Sequence, residues 1–111
     1  SILSNQVIAF LDMGYTLLED CGFTRAEAVR ATGQLVMRNI ENVLEAGCDG
    51  ALTGPIERND IETVKKHIAC MQNDDSDDVS LYKMLGTKLA NIAEKKNPDK
   101  DYTQMMELLR G

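Results

Sequence analysis

The residues able to do chemistry gather between Asn42 and His67. On a helical wheel, Asp60, Thr63 and His67 share a flank that borders the apolar stripe Ile61, Val64, Ile68 and Met71. Thr63 and His67 are four residues apart, so they stack on one side of a helix. Thr53-Gly54-Pro55 and Arg58 lead directly into that helix. Gly54 permits close approach of backbone to a ligand. Arg58, near a helix start with unpaired amides, suits an anion such as a carboxylate or phosphate. Asn39 and Asn42 share a face of the preceding helix with Leu35 and Ala46. Amides on a mostly apolar helix usually bond to a loop or a ligand. The chemistry this set offers is recognition of a small anionic group, with His67 hydrogen-bonding a carbonyl or hydroxyl as it changes.

The same residues also have structural readings. A lone His beside an apolar stripe serves as a hydrogen bonder within a fold, and Thr63 can bond its own backbone. Arg58 can pair with Asp60 or Glu57 at the surface, which is worth about 0–1 kcal/mol. Asn42 can tie down the loop that follows. The usual catalytic signatures are missing: there is no G-x-G-x-x-G, Walker loop, G-x-S-x-G or H-E-x-x-H. One His cannot build a metal site without several carboxylates beside it, so no metal ligands are assigned. Cys21, Cys48 and Cys70 are odd in number and widely spaced, so the expectation is reduced cytoplasmic thiols rather than a disulfide framework.

Helices must position these residues. Ser4 is the expected N-cap of a first helix over residues 5–21, ended by Gly22. Its stripe, from Val7 and Phe10 to Leu17, Leu18 and Cys21, widens through Ile8 and Tyr15. A helix this apolar is either central to its domain or shared with a second subunit. Thr24 and Glu27 form a capping box that opens a second long helix over residues 24–46, with Val29, Gly33, Val36, Ile40 and Val43 on one face and Gly47 closing it. Gly14 and Gly33 each cost about 1 kcal/mol against Ala, so the two long helices are expected to cross closely there. Residues 47–59 form one long connection, a length more often functional than accidental. A short helix capped by Asn59 spans 60–71, and an acidic turn of Asp74, Asp75, Asp77 and Asp78 follows. It lacks the alternating ligands, central Gly and distal Glu of a calcium loop. A fourth helix covers residues 79–95, with Leu81, Tyr82, Leu85, Leu89, Ile92 and Ala93 inward. A last short one starts at Asn97-Pro98 and turns Tyr102, Met105, Met106 and Leu109 to the core. The expected fold is all-α, a bundle of about five helices, two long and three shorter.

Composition agrees. The 111 residues suit one domain, residues 1–111, and are 43% hydrophobic, 27% charged and only 5% aromatic. Six Met, with Leu, Ile, Val and Ala, must fill the core, a mix that favours helices. A net charge of −6 makes nucleic acid a poor partner. No segment approaches the ~20 apolar residues of a membrane span. No signal peptide is visible, so the expected location is cytoplasmic. A start at Ser1 rather than Met reads as an excised fragment.

The run Asn42-x-x-x-x-Gly47, then Ala51-Leu52-Thr53-Gly54-Pro55-Ile56-x-Arg58-x-Asp60-x-x-Thr63-Val64-x-x-His67, resembles a family of uncharacterised two-domain Rossmann-like reductases. Leu81-Tyr82-x-x-Leu85-Gly86 and Leu89-x-x-Ile92-Ala93 continue the likeness. The Leu-Thr-Gly-Pro-x-x-Arg run is its most specific part. The family pattern has Gly where this chain has Asn59. Asn tolerates left-handed backbone better than most residues, so the turn is expected to survive. Such proteins are similar to pyrroline-5-carboxylate reductase and the 6-phosphogluconate dehydrogenase group. The resemblance implies a C-terminal helical domain of 6-phosphogluconate dehydrogenase type that forms a homodimer and supplies one wall of a substrate pocket. It implies NAD or NADP in a full-length oxidoreductase, bound mainly by an N-terminal dinucleotide-binding domain not in this chain, which alone would bind no cofactor and not turn over. Asn42, Thr53, Gly54, Arg58 and Thr63 would bind a small anionic substrate, and His67 would take part in catalysis. The competing expectation, from the residues alone, is a helical protein-interaction module without catalytic role.

Overall fold

A computed structural model of the chain describes residues 1–71 and 77–111. Among the described residues there are five helices and no strand: α1 (Ile2–Asp20), α2 (Arg25–Ala51), α3 (Ile61–Cys70), α4 (Asp77–Lys96) and α5 (Thr103–Arg110). The all-α expectation holds. Of the acidic turn, Asp77 and Asp78 form the first turn of α4, where carboxylates suit the helix dipole; Asp74 and Asp75 lie outside the described residues.

Local signals set most boundaries. Thr24 and Glu27 make the capping box in full, at 2.9 and 3.1 Å. At the end of α1, Gly22 takes φ +103°, the Gly22 amide donates to the Glu19 carbonyl, and the Phe23 amide donates to the Leu18 carbonyl. This is the paired bonding of a Schellman motif, and the short link it makes folds α1 back along α2 as a hairpin. Four expectations need correction. Ser1, not Ser4, caps α1, because the helix starts earlier. Gly47 breaks α2 with φ 75° and ψ 174°, but a last turn resumes beyond it through Ala51. Asp60 rather than Asn59 caps α3, because Asn59 is the left-handed residue of the turn, at φ 61°. Residues 97–100 form a turn closed by Lys100 N–H to the Asn97 carbonyl, so α5 begins only at Thr103.

The core lies at one end. Val64 of α3, Ala90 and Ala93 of α4, and Met105, Met106 and Leu109 of α5 enclose Ile56 and Tyr102. A second, smaller cluster joins Met13 and Leu17 of α1 to Met71, with Tyr82 and Leu85 of α4 packed against it. The stripe on α2 is only partly covered: Gly33 and Val36 are half-buried, while Val29, Ile40 and Val43 stay exposed, and Ala28 is the one fully buried residue of the helix among the described residues.

The expected close crossing at Gly14 and Gly33 is absent. A Cβ at either position would meet nothing within 4 Å. The close approach falls instead at buried Gly86, where a Cβ would lie 2.8 Å from Leu109 Cδ2. Leu109 is itself only 1% exposed, so an added methyl group would force a buried side chain to shift. Gly86→Ala is therefore expected to destabilise the fold by about 1–3 kcal/mol through overpacking. Gly33→Ala, free of any clash, should stabilise it by about 1 kcal/mol through helix propensity. Urea unfolding of the two variants checks the opposite signs.

Candidate functional site

The loop between α2 and α3 is pinned from beneath. Tyr102, 1% exposed, sends its hydroxyl to the Glu57 carbonyl at 2.6 Å. The Asn97 amide donates to the same Tyr102 oxygen at 3.1 Å and to Glu57 Oε1 at 3.2 Å. Lys96 Nζ donates to the Leu52 carbonyl at 2.8 Å and lies 3.7 Å from the Glu57 carboxylate. Asn59 Nδ2 donates to the Asp101 carbonyl at 2.8 Å. The Tyr102 bond pairs the Glu57 carbonyl at the edge of the core, where it would otherwise lack a donor, and the others tie the loop to the end of α4 and the turn after it. Sequence reading assigned Tyr102 to the core and missed its polar end, which nothing in a helical pattern signals.

Held this way, the loop delivers Arg58 to the start of α3. Arg58 lies 3.9 Å from Asp60 Oδ2, with its side chain 59% exposed. The Thr63 hydroxyl donates to the same Asp60 oxygen at 2.7 Å, and the Thr63 amide donates to Oδ1 at 3.2 Å. Thr63 thus bonds Asp60 rather than its own backbone. The hydroxyl bond, then the amide bond, hold the Asp60 carboxyl below its ordinary pKa, and the nearby charges of Arg58 and Lys66 act the same way. Asp60 itself occupies the place at the helix N-terminus where an outside anion would sit, yet the exposed guanidinium of Arg58 keeps donors to spare.

The other candidates are dispersed. Thr53 is exposed, and Gly54 serves the turn through φ +99° with open space around it. His67 is exposed one helical turn beyond Thr63 and borders a cavity. Asn42 stands exposed on α2. Arg58, Asp60 and Thr63 are therefore joined in one network, His67 continues their flank, and Asn42 stands apart from it.

The cavity, about 540 Å³, lies between α1, α3 and α4. Its walls are apolar, Phe10, Leu17, Leu18 and Leu89 among them, relieved by His67 and by Tyr82, whose phenol burial pushes up. The sequence hinted at it only through the breadth of the α1 stripe. Two further lining residues correct the cysteine reading: Cys21 and Cys70 form a disulfide, with Cα atoms 5.1 Å apart, while Cys48 is free and exposed. An odd, wide spacing conceals this pair, because only the fold brings the C-terminal ends of α1 and α3 together. Across a separation of 49 residues, such a cross-link stabilises by roughly 4 kcal/mol in the chain-entropy description.

A family model described as a domain of unknown function, DUF2520, matches residues 1–89, from α1 into α4. No curated protein and no solved structure matches the chain significantly. Among the described residues, no helix is long and apolar enough to cross a membrane.

Two substitutions probe the geometry. Thr63→Val removes the hydroxyl bond, so the Asp60 pKa should rise toward its ordinary value, as a carboxyl NMR titration would show. The sign follows from linkage: a depressed folded pKa adds stability above the unfolded value and loses it as pH falls through the folded one. The variant should therefore lose less stability on acidification. Tyr102→Phe leaves the Glu57 carbonyl and the Asn97 amide each short of a partner, and should cost about 1–3 kcal/mol in chemical denaturation.

Proposed function

The chain belongs to the DUF2520 family, and on that premise we propose that it is a dimerisation domain that also supplies one wall of the substrate pocket in an NAD(P)-dependent oxidoreductase. The observation that carries the first half is the uncovered apolar surface of the α1–α2 hairpin. Ile2, Leu3 and Ile8 near the start of α1 are 88%, 76% and 67% exposed, and Leu35, Met37 and Leu44 on α2 are 62%, 59% and 82% exposed. The hairpin link at residues 21–24 runs α1 back along α2, which sets Ile2 and Leu3 toward the far half of α2, where Leu44 lies, and Ile8 toward its middle, near Leu35 and Met37. Large apolar side chains left this exposed along one hairpin are the material of interaction sites on soluble proteins. Fully burying each Leu or Ile contributes about 1.5–3 kcal/mol. A second copy offers the same patch in return, the self-complementary arrangement of a two-fold dimer.

Arg58, Thr63 and His67 support the second half. They follow one flank of α3, where Arg58 would fix a carboxylate or phosphate of the substrate and His67 would hydrogen-bond its carbonyl or hydroxyl. Thr53 and Gly54 shape the loop before them, and Asn42 would join only across a dimer or a second domain. NAD or NADP would be held by a dinucleotide-binding domain, in keeping with the resemblance carried by the Leu52-Thr53-Gly54-Pro55 and Arg58 run. The competing reading, a docking module with no catalytic link, is favoured by the apolar cavity and by the distance of Asn42 from the polar network.

Light scattering over a concentration series separates the elements of this proposal. The chain should be a dimer, and Ile40→Asp with Leu44→Asp should return it to monomer; a monomer at every concentration would overturn the dimerisation reading. For the substrate wall, Arg58→Ala in a protein carrying both domains should weaken binding of an anionic substrate about tenfold or more, the loss expected of a charge-assisted hydrogen bond. Unchanged binding by both Arg58→Ala and His67→Ala would favour the docking module.

A further inference from the structure

The Cys21–Cys70 bond joins the ends of two helices, α1 and α3, that touch each other little directly. Cys21 caps the end of α1, and Cys70 is the last residue of α3. The two apolar clusters are separate: one belongs to α3, α4, α5 and the loop, while the other ties α1 to Met71 and α4. Between α1 and the rest lies the 540 Å³ cavity, lined by both half-cystines. A wall facing a void lacks the dispersion contacts that hold close-packed helices together. At this seam the covalent bond adds to the small cluster of Met13, Leu17 and Met71.

The bond is also placed to be broken. Cys70 is exposed and Cys21 half-buried, so a small thiol can reach the bond from the Cys70 side. Cys70 Sγ lies 3.1 Å from the His67 carbonyl oxygen. A disulfide sulfur has no proton to donate, but the thiol formed on reduction has one, and its acceptor is already in position.

We propose that Cys21–Cys70 is a redox-operated clasp on this cavity. Oxidised, it holds the end of α1 against α3 and keeps the cavity partly closed. Reduction by a dithiol opens it. A thiolate of the dithiol attacks one protein sulfur, the Cys21–Cys70 bond breaks, and a mixed disulfide forms. The second thiol of the reductant then displaces the protein sulfur. Two electrons and two protons pass to the protein, which ends with two thiols, while the reductant ends as its own disulfide. The α1 end of the hairpin is then free to move off α3, exposing the apolar walls, while the α3–α4–α5 core, which contains no half-cystine, stays closed.

The test compares the chain with and without dithiothreitol. Alkylation under denaturing conditions should label one cysteine, Cys48, before reduction and all three after. Hydrogen exchange followed by mass spectrometry should then show amides between Phe10 and Cys21 exchanging about tenfold faster or more in the reduced chain, with those of Met105 to Leu109 unchanged, because opening is local rather than global. Cys21→Ser with Cys70→Ser should show the fast pattern without any reductant. Three labelled thiols before reduction would overturn the proposal. So would unchanged exchange in α1, or an equal rise in α1 and α5, which marks overall loss of stability rather than a clasp.

Discussion

A single hydroxyl beneath a loop sets the arrangement of the polar residues. The segment between α2 and α3 must cross the edge of a core built largely from Met, Leu and Ala, where a backbone carbonyl without a donor is costly. Tyr102 solves this by burying its ring among Val64, Met105 and Leu109 while its oxygen reaches the Glu57 carbonyl. Asn97 and Lys96 extend the same contact to the Glu57 carboxylate and the Leu52 carbonyl. The loop is thereby tied to the corner between α4 and α5. The position of Arg58, the left-handed turn at Asn59 and the cap at Asp60 follow from that attachment.

The rest of the chain is built on a different basis. At the loop end, packing is dense enough that Gly86 has no space for a methyl group. At the hairpin end, α1 and α2 carry long apolar stripes that the chain's own residues cover only in part, and a cavity opens between α1, α3 and α4. Two long helices need partners on more than one side to bury stripes this broad. α4 packs against both α1 and α2, while α3 and α5 gather at the loop end, which leaves the far half of α2 exposed along most of its length. A cross-link and a small cluster around Met13, Leu17 and Met71 make up for the packing that this geometry forgoes.

The capping box at Thr24 and Glu27, the turn at Gly22 and the burial of Tyr102, Met105, Met106 and Leu109 were all legible in the sequence. The tolerance of Asn59 for a left-handed turn was legible as well. Less was legible where helices meet. Val29, Gly33, Val36, Ile40 and Val43 form the stripe their spacing implies, yet only Gly33 and Val36 are half-buried and the other three are exposed. Gly14 and Gly33 look like crossing points because glycine is costly in a helix, whereas the real close approach is at Gly86, whose partner Leu109 lies in another element. Of the candidate polar residues, Arg58, Asp60 and Thr63 sit within six positions of one another and came together. Asn42 needed a long-range contact that the fold does not make.

By itself, then, the sequence determined the all-helical class, many helix ends and much of each apolar stripe, although Leu81 and Leu89 of α4, expected inward, are exposed. Class, ends and stripes depend on hydrogen bonds and side-chain spacings within about one turn. Only the tertiary structure decided which faces are covered, where the cavity lies, that Cys21 meets Cys70 across 49 residues, and that the Tyr102 hydroxyl reaches Glu57. Those outcomes depend on how whole helices cross, and a crossing is set by the summed packing of residues far apart in the chain, which no local window contains.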